Sequence, residues 1–335
     1  MTTAPAHDVA ARARELLRTT LPCEMVFIYL PEDANDVRLF PRYVAVGYAF
    51  VSVHPAGDGH NIGEAIRRIA RCRADILGSP SEYLLVETVA DITRARREGR
   101  LGVGMHLEGF RCLERDLNMV EVYYRLGVRF CHPIFNQINS IGGGCADRMD
   151  IGLTRFGLQV IAEMNRVGMI VDGAHAGYRS TMDMLEHSAH PVMLSHHGCD
   201  ALHPHFRNLK DDQMKRCGER GGVVGISGAG FYLGGEPTPA LFFKHVDYAV
   251  QLIGAEHVAL GTDYLATPEV LAGHIKARPN EWPGLAEGKW EPLRFMPPEM
   301  VPEVVELMLR NGYSDDAVKG ILGENFLRVC RQVWK

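Results

Sequence analysis

The sequence predicts an α/β protein built as a (β/α)8, TIM-like barrel. Strand and helix patterns alternate from about residue 23 to residue 330. Four apolar, strand-like runs end on a residue able to bind metal or carry a proton: RLGVGMHLEG at Glu108, GMIVDGAH at His175, PVMLSH at His196 and HVALGTD at Asp263. Catalytic groups of such a barrel stand at the C-terminal ends of different strands. The 335 residues suffice for one large barrel or two smaller domains, and a doubly wound sheet is the competing architecture. The expected organisation is a single barrel over 1–335.

Residues 1–22 are expected as a helical lead-in. EMVFIYL and YVAVGYAFVSV then read as the first two strands, rich in β-branched and aromatic residues. NIGEAIRRIARCRADIL has helical spacing through Ile62, Ile66, Ile69 and Ala70, and VADITRARREG is a second helix before the strand ending at Glu108. GVRFCHPIF is the next strand. NQINSIGGGCADRMD is a polar, Gly-rich loop, long enough to imply a role beyond connection. TRFGLQVIAEMNRVG is an amphipathic helix closed by Gly168. Strand GMIVDGAH, helix STMDMLEHS, strand PVMLSH and helix LKDDQMKRCGERG continue the alternation. Strand GVVGIS, helix ALFFKHVDYAVQLIG and strand HVALGTD complete it. Residues 264–298, proline-rich and carrying Trp282 and Trp290, read as a long loop over the C-terminal face.

Hydrophobic residues make up 46% and charged residues 23%, so a large core is available and disorder is not expected. The net charge of −5 comes without a Lys/Arg-rich block, which argues against nucleic acid as a partner. The N-terminus lacks the continuous apolar stretch of a signal peptide, and no run reaches the roughly 20 residues that span a bilayer. The expectation is a cytoplasmic protein with a small, peptide-like partner and a homodimer as the assembly to test. Eight cysteines with no C-x-x-C pair read as reduced, buried thiols.

Two histidines and two carboxylates converging on one barrel face would make a metal-dependent hydrolase site. A buried Glu is rarely tolerated without a partner, so ligation accounts for Glu108 better than packing or a salt bridge. Asp263 could be only a helix cap, but its Gly-Thr-Asp ending after a buried strand favours chemistry. His197 should point away from His196, since side chains alternate along a strand. His54 closes the second strand and could enter the site. His106 shares a face with Glu108 but lies deeper and reads as a core histidine. His132 reads as packing rather than chemistry.

From residue 101 onward the chain resembles the membrane (renal) dipeptidase family, a branch of the amidohydrolase-type barrels. The matching pieces include Leu107-Glu108-Gly109, Leu126 to Phe130, Asn136 with Asn139, and Gly152-Leu153-Thr154-Arg155-Phe156-Gly157. NRVGMIVDGAH at 165–175, Ser195-His196, Phe206-Arg207-Asn208, Gly261-Thr262-Asp263 and Gly323 to Arg328 follow in the family's order. The resemblance implies a β/α barrel hydrolysing dipeptides with zinc. It further implies that Glu108, His175 and His196 are zinc ligands, with the Glu bridging two ions in the family. Asp263 matches the residue that handles the proton of the attacking water.

The N-terminal part departs from that pattern. The family's first strand supplies two ligands as His-x-Asp, where this chain has Glu24 and Val26. Carboxylate oxygen can bind zinc and valine cannot, so one zinc is expected more than two, with Glu24 a candidate ligand. Phe135 stands where the family has a substrate-contacting His before Asn136. Asp200 stands where an Arg grips the dipeptide carboxylate, and Arg207 matches a different position. An acidic residue there favours a neutral or cationic leaving group, and a dipeptide-like amide from specialised metabolism fits that description. Candidate substrate contacts are therefore His54, Asn136, Asp200 and Arg207. The alternatives are a binding or scaffold barrel that has lost hydrolysis and a metal-dependent lyase or isomerase.

Overall fold

The computed structural model describes residues 6–284, 288 and 293–335. Its strands are β1 (Cys23–Phe27), β2 (Phe50–Gly57), β3 (Tyr83–Leu85), β4 (Leu101–Glu108) and β5 (Val128–His132). β6 (Ile170–Val171), β7 (Met193–His197), β8 (Val223–Ile226) and β9 (Val258–Leu260) follow. All pairings are parallel, in the orders β1-β2-β4-β5-β6 and β7-β8-β9. Single parallel bridges join the two runs, Asp172 to Met193 and Phe27 to Tyr264, and so close the ring. β3 pairs only with the start of β4 and stands outside the ring of eight. The fold is a (β/α)8 barrel.

The expected helices form where their caps lie. Asn61 and Glu64 make a capping box at the start of Ile62–Leu77, and Thr88 and Asp91 make another before Val89–Arg97. Thr154 caps Arg155–Val167, and Gly168 ends that helix in the left-handed conformation (φ 91°) that glycine adopts without strain. The lead-in helix runs Ala6–Thr19.

Two expectations need correction. YVAV belongs to a helix, Phe40–Val46, rather than to the second strand. Pro41 pre-sets the first turn and Gly47 closes the last, so punctuation outweighs the β-branched run. Residues 264–298 are not simply loop: Pro268–Ala277 is a helix, and 285–287 and 289–292 fall outside the described residues.

One apolar cluster fills the space between strands and helices. Another joins Phe50 of β2, Phe130 of β5 and Met193 of β7 to Phe326 on the C-terminal helix Asn325–Val333. Phe50 and Phe326 stack at 5.7 Å, and Phe130 stacks on His106 at 4.4 Å and 7°. The C-terminal helix thus supports, through two rings, a histidine of the site described next. Among the described residues no helix is long and apolar enough to cross a membrane, and all eight cysteines are free thiols.

Candidate active site

Glu108, His175, His196 and Asp263 come together at the C-terminal ends of β4, β6, β7 and β9. Glu108 is the last residue of β4. The neighbouring β2 approaches closely there: a Cβ at Gly57 would lie 1.9 Å from the Glu108 carbonyl oxygen, so only glycine fits. β6 ends at Val171, and His175 follows in a turn with φ 66°. Asp263 (φ 57°) and Asn136 (φ 52°) share that left-handed conformation, uncommon for residues with a side chain. Three of the six such residues described thus cluster here, as backbone strain does at functional sites.

Donor atoms of Glu108, His175 and His196 lie within 4.8 Å of one another. The Nε2 atoms of the two histidines face each other at 3.0 Å. Their far nitrogens are held, His175 Nδ1 at 2.8 Å from Asn136 Oδ1 and His196 Nδ1 at 2.8 Å from Ser195 Oγ. Bonding the far nitrogen orients a metal-binding imidazole and frees Nε2 to ligate. Burial, followed by the Arg207 charge, pushes both histidines well below the ordinary range, so they are neutral as ligands must be. Burial pushes Glu108 up, but the imidazoles of His54, His106 and His132 that face it outweigh this and hold the carboxyl well below its usual range. The donor set of one carboxylate and two neutral imidazoles fits a zinc-type ion.

Glu108 and His175 open on a cavity of about 420 Å³, lined also by His54, Phe135, Tyr232 and Asp263 among others. That is the size of a small-molecule site. Phe135 stacks on His175 at 4.2 Å, occupying with an apolar ring the position where a substrate-contacting histidine was expected. Leu271, His274, Arg278 and Trp282, from the segment after β9, line the same cavity. Burial and the Glu108 charge push the Asp263 carboxyl well above its ordinary value, with Arg207 opposing.

The other candidates are placed as follows. Glu24 is buried on β1, and its carboxylate accepts hydrogen bonds from the Thr262 N–H at 2.7 Å, the Thr262 hydroxyl at 2.6 Å and the Val26 N–H at 3.2 Å. It belongs to neither group of residues whose donors converge. Asn136 orients His175 instead of lining the cavity. Asp200 is outside the cavity lining and accepts a hydrogen bond from the His205 N–H at 3.1 Å, capping its own turn. The cation beside the site is Arg207, 2% exposed, with nitrogens 2.8 Å from His196 Nε2, 2.7 Å from His197 Nδ1 and 3.3 Å from His175 Nδ1. Its guanidinium also lies over the Tyr232 ring at 5.5 Å. His197 is buried against Arg207.

Sequence reasoning missed Asp172, whose Oδ2 lies 2.9 Å from His132 Nε2 deep in the barrel. It also undervalued His106 and His132, which face Glu108 Oε1 at 3.8 and 3.7 Å. Period-two spacing from Glu108 and the His-Pro ending of β5 were the available signals.

Fold and site together define a metal-dependent hydrolase on an α/β barrel. The chain belongs to the membrane dipeptidase family, Peptidase family M19, whose sequence profile matches residues 13–281. Dipeptidase tcpJ of Claviceps purpurea is 30% identical over 248 residues, 72% of this chain and 53% of that protein. A Klebsiella pneumoniae protein, uncharacterised and encoded in the pqqA 5′ region, is 26% identical over 283 residues, 80% of this chain and 96% of that one. The chain therefore spans about half of the Claviceps relative and nearly all of the Klebsiella one. The crystal structure of an amidohydrolase from Pseudomonas aeruginosa shares the fold, with a TM-score of 0.82 at 24% identity, over 96% of this chain and 99% of that one.

Proposed function

We propose that this protein is a zinc-dependent dipeptidase with its metal held by Glu108, His175 and His196. The convergence of those three donors beside a cavity that Glu108, His175 and Asp263 line carries this reading. Zinc bound there supplies Lewis acidity to the scissile carbonyl and acidifies the attacking water. Asp263 takes the proton of that water and returns it to the leaving amine. Burial and the neighbouring Glu108 charge push the Asp263 carboxyl upward, the direction that suits a group taking up a proton and giving it back.

Arg207, which does not itself line the cavity but sits against His175 and His196, is the cation that would draw the substrate carboxylate. Its guanidinium is buried among imidazoles and a tyrosine ring, and an anionic group is the natural complement of such a cation. This replaces the expectation drawn from Asp200, whose side chain is turned away to cap a loop. A cavity of about 420 Å³ also admits a dipeptide-like amide carried in a larger natural-product intermediate. Free thiols support the cytoplasm as the compartment.

Asp263→Asn tests the proton role. Metal content should stay at the wild-type level while turnover of a dipeptide falls by on the order of 10²–10⁴-fold. Turnover near wild type would remove Asp263 from the chemistry. A scaffold barrel would leave dipeptides intact with metal bound, and a lyase or isomerase would yield products without the free amine.

A further inference from the structure

His54 lies on β2, His106 and Glu108 on β4 and His132 at the end of β5, so three adjacent strands turn these side chains toward one carboxylate. His54 Nδ1, His106 Nε2 and His132 Nδ1 are buried without a hydrogen-bond partner, and so is Glu108 Oε1. The three nitrogens lie 3.8, 3.8 and 3.7 Å from that oxygen. Those distances are too long for hydrogen bonds. They fall inside the roughly 4.2 Å that two donors on one zinc can span, given bonds of about 2.0–2.2 Å. Donors of His54, His106 and Glu108 also lie mutually within 4.8 Å.

The far sides of the rings are tied down. His106 Nδ1 is 2.9 Å from Ser52 Oγ, His54 bonds the backbone of Phe27, and His132 Nε2 is 2.9 Å from Asp172 Oδ2. Each imidazole thus has one nitrogen fixed by a neighbour and the other unpaired and aimed at the same oxygen. Protein interiors do not leave buried polar atoms unpaired in such numbers. A cation among His54, His106 and Glu108 would pair three of them, and a bonded far nitrogen is how metal-binding imidazoles are held.

We propose that His54, His106 and Glu108 form a second metal site for a zinc-like divalent cation. This site rests on the proposed dipeptidase centre only in sharing Glu108. It draws on β2 and β4 rather than β1, where Val26 offers no donor and Thr262 engages Glu24.

Metal counting tests it. The full-length protein is stripped with a chelator, reloaded with Zn2+, desalted and assayed by elemental analysis. Wild type should hold two ions per chain, and His54→Ala, His106→Ala and His196→Ala one each. A Co2+-loaded sample should lose one of two sets of visible absorption bands in His106→Ala and the other in His196→Ala. One ion in wild type that persists in His106→Ala would overturn the proposal, as would two ions persisting in both His54→Ala and His106→Ala. If His106→Ala fails to fold, His54→Ala on the cavity wall decides alone, together with anomalous scattering from zinc-saturated wild-type crystals. A peak among His54, His106 and Glu108 supports the site, and its absence overturns it. Turnover is read separately: two ions without dipeptide cleavage would leave this site standing and remove the proposed function, and cleavage with a single ion at His175 and His196 would do the reverse.

Discussion

Glu24 is a buried acid whose burial favours the protonated form. Burial raises its carboxyl from 4.5 to about 8, against the lowering effect of its hydrogen bonds to Thr262 and Val26. Between those values the unfolded chain is ionised while the folded chain keeps the proton. Stabilisation present below pH 4.5 is therefore lost as the pH rises through about 8. Glu24→Gln is neutral throughout and removes this dependence. The unfolding free energy of wild type relative to Glu24→Gln should fall by on the order of a few kcal/mol from pH 5 to pH 8 in denaturant titrations of the metal-free protein. A difference that is flat across that range would show Glu24 to be ionised in the folded state. The residue scale is also where the sequence was most and least legible. Glu108, His175, His196 and Asp263, which the structure brings together, stood out because each is a polar residue ending an apolar run. His106 and His132 did not, because a histidine inside a strand reads as packing until its neighbours in space are known. Asp200 misled because adjacency in sequence does not say which way a loop side chain turns.

At the scale of elements, helix caps and glycine stops were readable because their hydrogen bonds are local, as at Thr154 and Gly168. The short strands were not. β6 keeps only two residues, and β3 has three and pairs only with β4 among the described strands, so neither carries its own periodic signal. The C-terminal helix bears on the site through packing that sequence spacing cannot register. Phe326 is fully buried, stacks on Phe50 and meets Phe130 edge-on at 6.4 Å, and Phe130 supports His106. Phe326→Ala should cost about 3–5 kcal/mol of stability, read as a lowered midpoint in chemical denaturation. Should the cost stay below about 1 kcal/mol, the helix would not be the support that these contacts describe.

At the scale of the molecule, ring closure by the Phe27–Tyr264 and Asp172–Met193 bridges gathers residues more than 150 positions apart around one cavity. Alternation of strands and helices made the barrel legible, but not which side chains meet inside it, since that depends on register between strands distant in sequence. Arg207 reaches the site this way, beside His175 from a different strand end. The central claim, a metal-dependent dipeptidase in which Arg207 takes the substrate carboxylate, is tested most directly by steady-state cleavage of paired free-acid and amidated dipeptides. The zinc-loaded wild type should cleave the free acids and lose that activity to a chelator. It should prefer them over the amides by about tenfold or more, the worth of one charge-assisted hydrogen bond, and Arg207→Ala should erase the preference. Zinc-loaded protein that cleaves neither series, or an acid preference that survives in Arg207→Ala, would contradict it.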